Sequence, residues 1–223
     1  SGKTMIPVSA FANSGATRIG VIKVSGNTVT ASTVVHQQSE DTSALYYTTT
    51  DNQPIVFGNF PFAPANVVSH TFVNGQGKVT FDVPLTAIQA SAFNGQTTLN
   101  SIYIPNTVSY YDIGAFAGTS LEYFETGDLV DKVNQSLLST CASLKTVVIG
   151  SSVESLHGWC LAHCSSLETI YCYATTAPIL NDRCFEDTTQ TTGTVHYPAG
   201  SDYSSWINNQ YNYLDGWTFI GDL

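Results

Sequence analysis

One pattern recurs between Val79 and Pro198 and narrows the fold more than any other feature. A small residue followed by a bulky apolar one stands at Ala92-Phe93 and Ala115-Phe116. Altered forms follow at Leu137-Leu138, Cys160-Leu161 and Cys184-Phe185, in steps of 23, 22, 23 and 24 residues. Four residues before each pair sits Ile88, Tyr111, Val133, Leu156 or Leu180, and Leu99, Leu121, Leu144 and Leu167 each open the next unit. A fixed period in the window of about 20–29 residues specifies a solenoid. One coil has a single apolar edge and cannot make a core alone, so coils stack and each buries its neighbour's edge.

Each opening leucine leads into a short alternating run, such as Ile102-Tyr103-Ile104 or Val147-Val148-Ile149. Alternation is the period of a strand, with residues i and i+2 on one face. The expected inward columns are Phe81, Ile102, Phe124, Val147, Ile170, Val195 and Val83, Ile104, Thr126, Ile149, Cys172, Tyr197. Pro84, Pro105, Gly127 and Gly150 end the strands, since proline offers no amide hydrogen to a ladder. The Ala-Phe region is expected to form one helical or 3₁₀ turn.

Segment 99–120, LNSIYIPNTVSYYDIGAFAGTS, resembles the unit L-xx-I-x-IP-xx-V-xx-IG-xx-AF-xx-C-xx of BspA-like leucine-rich repeats. Segment 144–166 follows the same unit with Cys160-Leu161 in place of Ala-Phe, and Leu121–Ser143 departs from it most. LYYTTTDNQPI (45–55) is similar to a lead-in of these proteins. The resemblance implies an α/β solenoid, a leucine-rich repeat right-handed superhelix with short parallel strands. It also implies a bacterial cell-surface or periplasmic protein, often a lipid-anchored lipoprotein, that serves adhesion to host, matrix or neighbouring cells.

The expected domains are a β-hairpin module with linker (1–44), an N-terminal cap (45–78), the repeats (79–198) and a C-terminal cap (199–223). In the first, β-branched runs at Arg18–Val24 and Thr28–Val35 flank Ser25-Gly26-Asn27, a hairpin pattern. Residues 3–16 are expected to be weakly ordered, and His36–Ser43 to be a linker. In the N-terminal cap, Leu45–Thr49 and Ile55–Phe57 are expected to pair across Asp51–Pro54, and Gly75-Gln76-Gly77 to turn the chain into the first repeat strand. In the tail, a short helix over Ser201–Gln210 and a strand over Trp217–Ile220 are expected. Trp206, Tyr211, Tyr213, Trp217 and Phe219 would close the last coil; the rival reading makes them a sugar platform.

The chain of 223 residues carries a formal charge of −10, and its seven Lys and Arg are scattered. Nucleic-acid binding draws on clustered cations, so that class is excluded, and anionic lipid surfaces are disfavoured. Charged residues are 11% of the chain, well below the usual quarter or so; an uncharged polar surface suits an extracytoplasmic protein. No apolar run approaches the roughly 18 residues of a membrane span. Ser1-Gly2 resembles a scar of tag removal, so the missing signal peptide says nothing about localisation. The family resemblance implies that membrane association comes only through an N-terminal lipid anchor absent from this sequence.

Cys141 and Cys164 share one repeat column, Cys160 and Cys184 another, and Cys172 falls on an inward strand position. Buried, reduced core thiols are the expectation. His157, Cys160, His163 and Cys164 do not match a zinc spacing. Glu122, Glu125, Asp128 and Asp131 lack the alternation of a calcium loop. Ser1-Gly2-Lys3-Thr4 lacks the rest of a phosphate loop, and no G-x-S-x-G elbow occurs. No catalytic residue and no cofactor is therefore assigned.

What remains is the outer face of the strands. One outward row is expected to run Asp82, Tyr103, Glu125, Val148, Tyr171, His196, and the row beside it Thr80, Ser101, Tyr123, Thr146, Thr169, Thr194. Tyrosine and histidine join contact area to a polar tip. Asp82, Tyr103, Tyr123, Glu125, Tyr171 and His196 are accordingly the candidate ligand-binding residues. The expected ligand is a protein, with a glycan or a purely architectural role as the alternatives.

Overall fold

The computed structural model describes residues 19–25, 30–36, 41–57, 61–188, 192–210 and 213–223. The chain divides into two compact units, Ser1–Glu40 and Asp41–Leu223. In the first, β1 (Ile19–Ser25) and β2 (Thr30–His36) pair antiparallel, with Ile19 opposite His36 and Ser25 opposite Thr30. The expected hairpin is present. The tip residues Gly26-Asn27, residues 37–40 of the linker and residues 3–16 lie outside the described residues.

The second unit opens with β3 (Ala44–Thr49), β4 (Val67–Val73) and β5 (Gln76–Phe81). β4 and β5 form a hairpin whose turn is Asn74-Gly75, with φ of 51° and 81°. That is the left-handed pair a tight β-hairpin turn uses, and it falls one residue earlier than expected. Ile55–Phe57 is not a strand. After β6 (Ala87–Ile88) comes β7 (Leu99–Tyr103), and β3 lies between β5 and β7, antiparallel to both, in the order β4-β5-β3-β7. The inward column therefore does not run from Phe81 to Ile102, because β3 separates their strands. An exposed strand edge at a solenoid end invites wrong pairing, and β3 covers the edge of β7.

From there the coils repeat. β8 (Tyr110–Tyr111) pairs parallel with β6. Then follow β9 (Tyr123–Glu125), β10 (Lys132–Val133), β11 (Thr146–Ile149), β12 (Ser155–Leu156), β13 (Thr169–Cys172), β14 (Ile179–Leu180) and β15 (Thr194–Tyr197). Helix α1 (Ser204–Ile207) and β16 (Thr218–Gly221) complete the chain. β10, β12 and β14 form one parallel sheet, and β9, β11, β13, β15 and β16 another. In the larger sheet Phe124, Val147, Ile170 and Val195 stand in register, as expected, and Phe219 extends the column by one strand. Ile102 is buried in the same core, although its strand pairs with β3.

Thr126, the polar member of the second inward column, is 1% exposed. Its hydroxyl accepts the Gly150 amide at 2.9 Å and donates to the Gly127 carbonyl at 3.2 Å, so no polar atom is stranded. Gly150 lies so close to that coil that a Cβ would sit 2.0 Å from the Gly127 oxygen.

The Ala-Phe region is neither α-helix nor 3₁₀. Each coil makes two tight turns there, opened and closed by left-handed residues four apart: Ser91/Gly95, Gly114/Gly118, Ser136/Thr140, Trp159/His163 and Arg183/Asp187. Alternate amides then point to the next coil. Gly114, Phe116 and Gly118 donate to the carbonyls of Gln135, Leu137 and Ser139 at 2.8–3.0 Å, and Ser136, Leu138 and Thr140 donate to Gly158, Cys160 and Ala162. A helix would spend those amides within the coil; the left-handed residues turn them outward into a further ladder. Among the described residues α1, of four residues, is the one α-helix. The α/β assignment is therefore corrected: the second unit is a parallel β-solenoid of about six turns.

All five cysteines are free and buried. Thr119, Cys141, Cys164 and Thr188 share a column. Thr119 and Thr188 donate within their own coil, to the carbonyls of Phe116 and Phe185, and Cys141 and Cys164 donate to the preceding coil, to those of Phe116 and Leu138. The column takes a small side chain with a donor, which explains why both Thr and Cys occur there. At the far end Trp206 and Tyr203 are buried and donate to the carbonyls of Pro178 and Ala174 at 2.7 Å. Trp217 is buried too. These rings close the solenoid and are not a sugar platform; Tyr211 lies outside the described residues.

Candidate functional site

The two outward rows of the five-stranded sheet are set by its register. One is Tyr123, Thr146, Thr169, Thr194, Thr218, and the other Glu125, Val148, Tyr171, His196, Ile220. Of the six candidate residues, Tyr123, Glu125, Tyr171 and His196 thus share one face. Threonine at every central position of the first row suits a pleated, half-exposed surface.

The larger side chains on this face are fixed by one another. The Tyr123 hydroxyl donates to Glu125 Oε2 at 3.0 Å. Burial first, and the nearby Glu125 carboxylate second, push the Tyr123 phenol well above its ordinary value, so it stays a donor. His196 stacks on Tyr171, with ring centroids 4.7 Å apart and planes 17° apart, and its Nδ1 lies 2.9 Å from Asp222 Oδ1. Val148, between Glu125 and Tyr171 in register, is 9% exposed. Tyr173, 46% exposed, follows Tyr171 on the same side. At the margin, Lys145 and Glu122 pair at 2.9 Å. The face combines aromatic area, hydroxyls and carboxylates held by neighbours, which lowers the ordering cost of binding.

Asp82 and Tyr103 do not belong to it. Tyr103 stands opposite Tyr46 of β3, is 5% exposed, and has its ring 6.2 Å from that of Tyr46. Insertion of β3 is the cause. Asp82 lies beyond β5, where its carboxylate accepts the Asn66 amide and side chain, both at 2.8 Å. Those hydrogen bonds hold its carboxyl below the usual range, and its role is to clasp a loop.

Sequence reasoning missed Thr218, Ile220, Tyr173 and Asp222. The first two were legible as a strand but lie beyond the last Ala-Phe-type pair, so the period did not reach them. Tyr173 could have been found by carrying the alternation one step past Cys172. Asp222 carried no signal.

Elsewhere on the second unit a groove of about 530 Å³ follows β11 and β13. Glu154 is the one titratable side chain in its lining, whereas acid–base chemistry needs convergent groups. Cys160 and Cys164 are core residues, and His163 faces Asp187 at 3.5 Å. Among the described residues no three metal-ligating side chains converge, and no helix is long and apolar enough to cross a membrane.

Among curated proteins none matches the chain. A solved structure of a leucine rich cell surface protein from Faecalibacterium prausnitzii A2-165 is 23% identical, with a TM-score of 0.48. It aligns with 60% of this chain, which spans 33% of that one. The model of the BspA type leucine rich repeat region matches residues 67–192 in six copies. More than half of the sequence lies in those copies, and the chain belongs to the BspA-type leucine-rich repeat family.

Proposed function

We propose that this chain is a non-enzymatic recognition protein that docks a protein partner on the outer face of its five-stranded sheet. The observation that carries the reading is the paired rows running from Tyr123 and Glu125 to Thr218 and Ile220 in unbroken register. An extended solenoid surface is the usual binding element of repeat proteins, and pre-ordered tyrosines give contact area at low entropy cost. Residence outside the cytoplasm, at the cell surface or in the periplasm, goes with this reading. The low charge content supports it.

The test is capture of partners from extracellular matrix and from neighbouring bacteria, using the intact chain and a variant with Tyr123, Tyr171 and His196 changed to alanine. Loss of capture with an unchanged melting curve is expected. Equal capture by the folded variant contradicts the reading and leaves an architectural spacer. A glycan array with the same two proteins separates the sugar alternative.

A further inference from the structure

The seven residues of β4, Val67–Val73, read VVSHTFV. Among the described residues the strand is at the edge of its sheet, paired with β5 alone. Val67, Val68 and Val73 are 43%, 66% and 64% exposed. Natural edge strands are blunted by charge, proline or brevity. This one has no charged residue or proline, is longer than the other strands of its sheet, and has a register shift only at Val68, leaving Ser69–Val73 regular.

The strand also reads nearly the same in both directions. Antiparallel pairing of two copies about His70 sets Ser69 against Thr71 within the regular stretch, on each side of a two-fold axis, and brings the flanking Val67 and Val68 to the side of Phe72 and Val73. Like thus meets like in the central cross-strand pairs, the unit of sheet stabilisation. A two-fold contact of this kind closes, because each copy offers the same patch.

Charge selects the same edge. With a formal charge of −10, two copies repel over most of their surface. The five-stranded sheet carries Asp222 directly after its last strand β16, and its first strand β9 lies beside the coil of β7, where the Glu122 amide donates to the Asn100 carbonyl. β4 carries no carboxylate. His70 Nε2 lies 2.6 Å from the Tyr47 hydroxyl and its ring 4.9 Å from that of Phe57. Burial there lowers its pKa, so the strand is uncharged at neutral pH.

We infer that β4 pairs with β4 of a second copy, joining two four-stranded sheets into one of eight strands across a two-fold axis at His70. This interface is separate from the recognition face and makes the protein bivalent, which raises avidity for a repetitive or surface-bound partner.

Sedimentation of the full chain tests this directly. The wild type is expected to be a reversible dimer, twice the 24.0 kDa chain mass, with a dissociation constant of ~10 μM, as suits a small interface. Ser69→Lys with Thr71→Lys should weaken dimerisation about tenfold or more through like charges across the strands, with an unchanged circular dichroism spectrum. Should the lysine pair unfold the chain, Ser69→Cys with Thr71→Cys gives the second readout. Mild oxidation should then produce a disulfide-linked dimer, while a Val83→Cys control, exposed but off the edge, should not. A wild type that stays monomeric at ~100 μM overturns the inference, even if β4 takes up a strand of another protein. A dimer untouched by the lysine pair, or equal cross-linking of the control, also overturns it.

Discussion

The two sheets at opposite ends of the solenoid solve the same problem by different means. The parallel ladder β9-β11-β13-β15-β16 repeats one contact: each strand pairs in parallel register with the strand of the coil before it. The four-stranded sheet β4-β5-β3-β7 sets one repeat strand, β7, against antiparallel strands that do not recur. It is built from pairings between distant segments and an aromatic cluster in which Phe62 lies 5.2 Å from Phe57, 4.9 Å from Phe81 and 5.9 Å from Phe93. A repeated contact spreads stability over many equivalent interfaces, whereas a cap concentrates it in a few large side chains.

That contrast orders the expected effects of substitution. Phe62→Ala removes the ring at the centre of the cap and should cost about 3–5 kcal/mol, measured by urea unfolding. A loss below that of a single ladder residue would break the contrast. Gly150→Ala forces apart two coils whose backbones touch, and should cost about 1–3 kcal/mol, with faster amide exchange at Thr126 and Gly150. Ile170→Val thins the middle of the ladder and should cost about 0.5–1.5 kcal/mol, because rungs on both sides still close over it.

Thr140→Gly should have the opposite sign. Thr140 has φ of 61°, and among the described residues its hydroxyl bonds to the adjacent Ser139 carbonyl alone. Glycine relieves the left-handed strain and should stabilise by up to about 1 kcal/mol, seen as a raised urea midpoint. The smallest effect concerns the thiols. Burial pushes every one upward, Cys184 to about 12. A thiol reagent at mildly alkaline pH should therefore label none in the native protein and all five after denaturation.

The same contrast explains what could be read from the sequence. Columns such as Phe124, Val147, Ile170 and Val195 were legible because stacking forces one apolar residue to recur at each coil. Thr126 looked like an exception until Gly150 supplied its partner. The insertion of β3 was not legible, since antiparallel pairing of residues 44–49 with 76–80 and 99–103 leaves no periodic trace, and Tyr103 was misplaced as a result. The helical expectation for the Ala-Phe region failed for a local reason. Gly114 and Gly118 do mark left-handed positions, but Trp159, His163 and Arg183 occupy the same conformation in later coils, where no residue type announces it. Eight of the ten positions in the two rows were legible as alternation, and the last strand, with Thr218 and Ile220, was lost where the repeat signature stops.

The account stands on the continuity of that face from the third coil to the C-terminus. Its most direct measurement is a distance between spin labels at Glu125→Cys and Ile220→Cys. Those positions end a row of five strands, so four spacings separate them. A narrow distribution centred near ~19 Å is the expected result; a broad one centred well beyond it would mean that the tail does not complete the ladder, and would contradict the account.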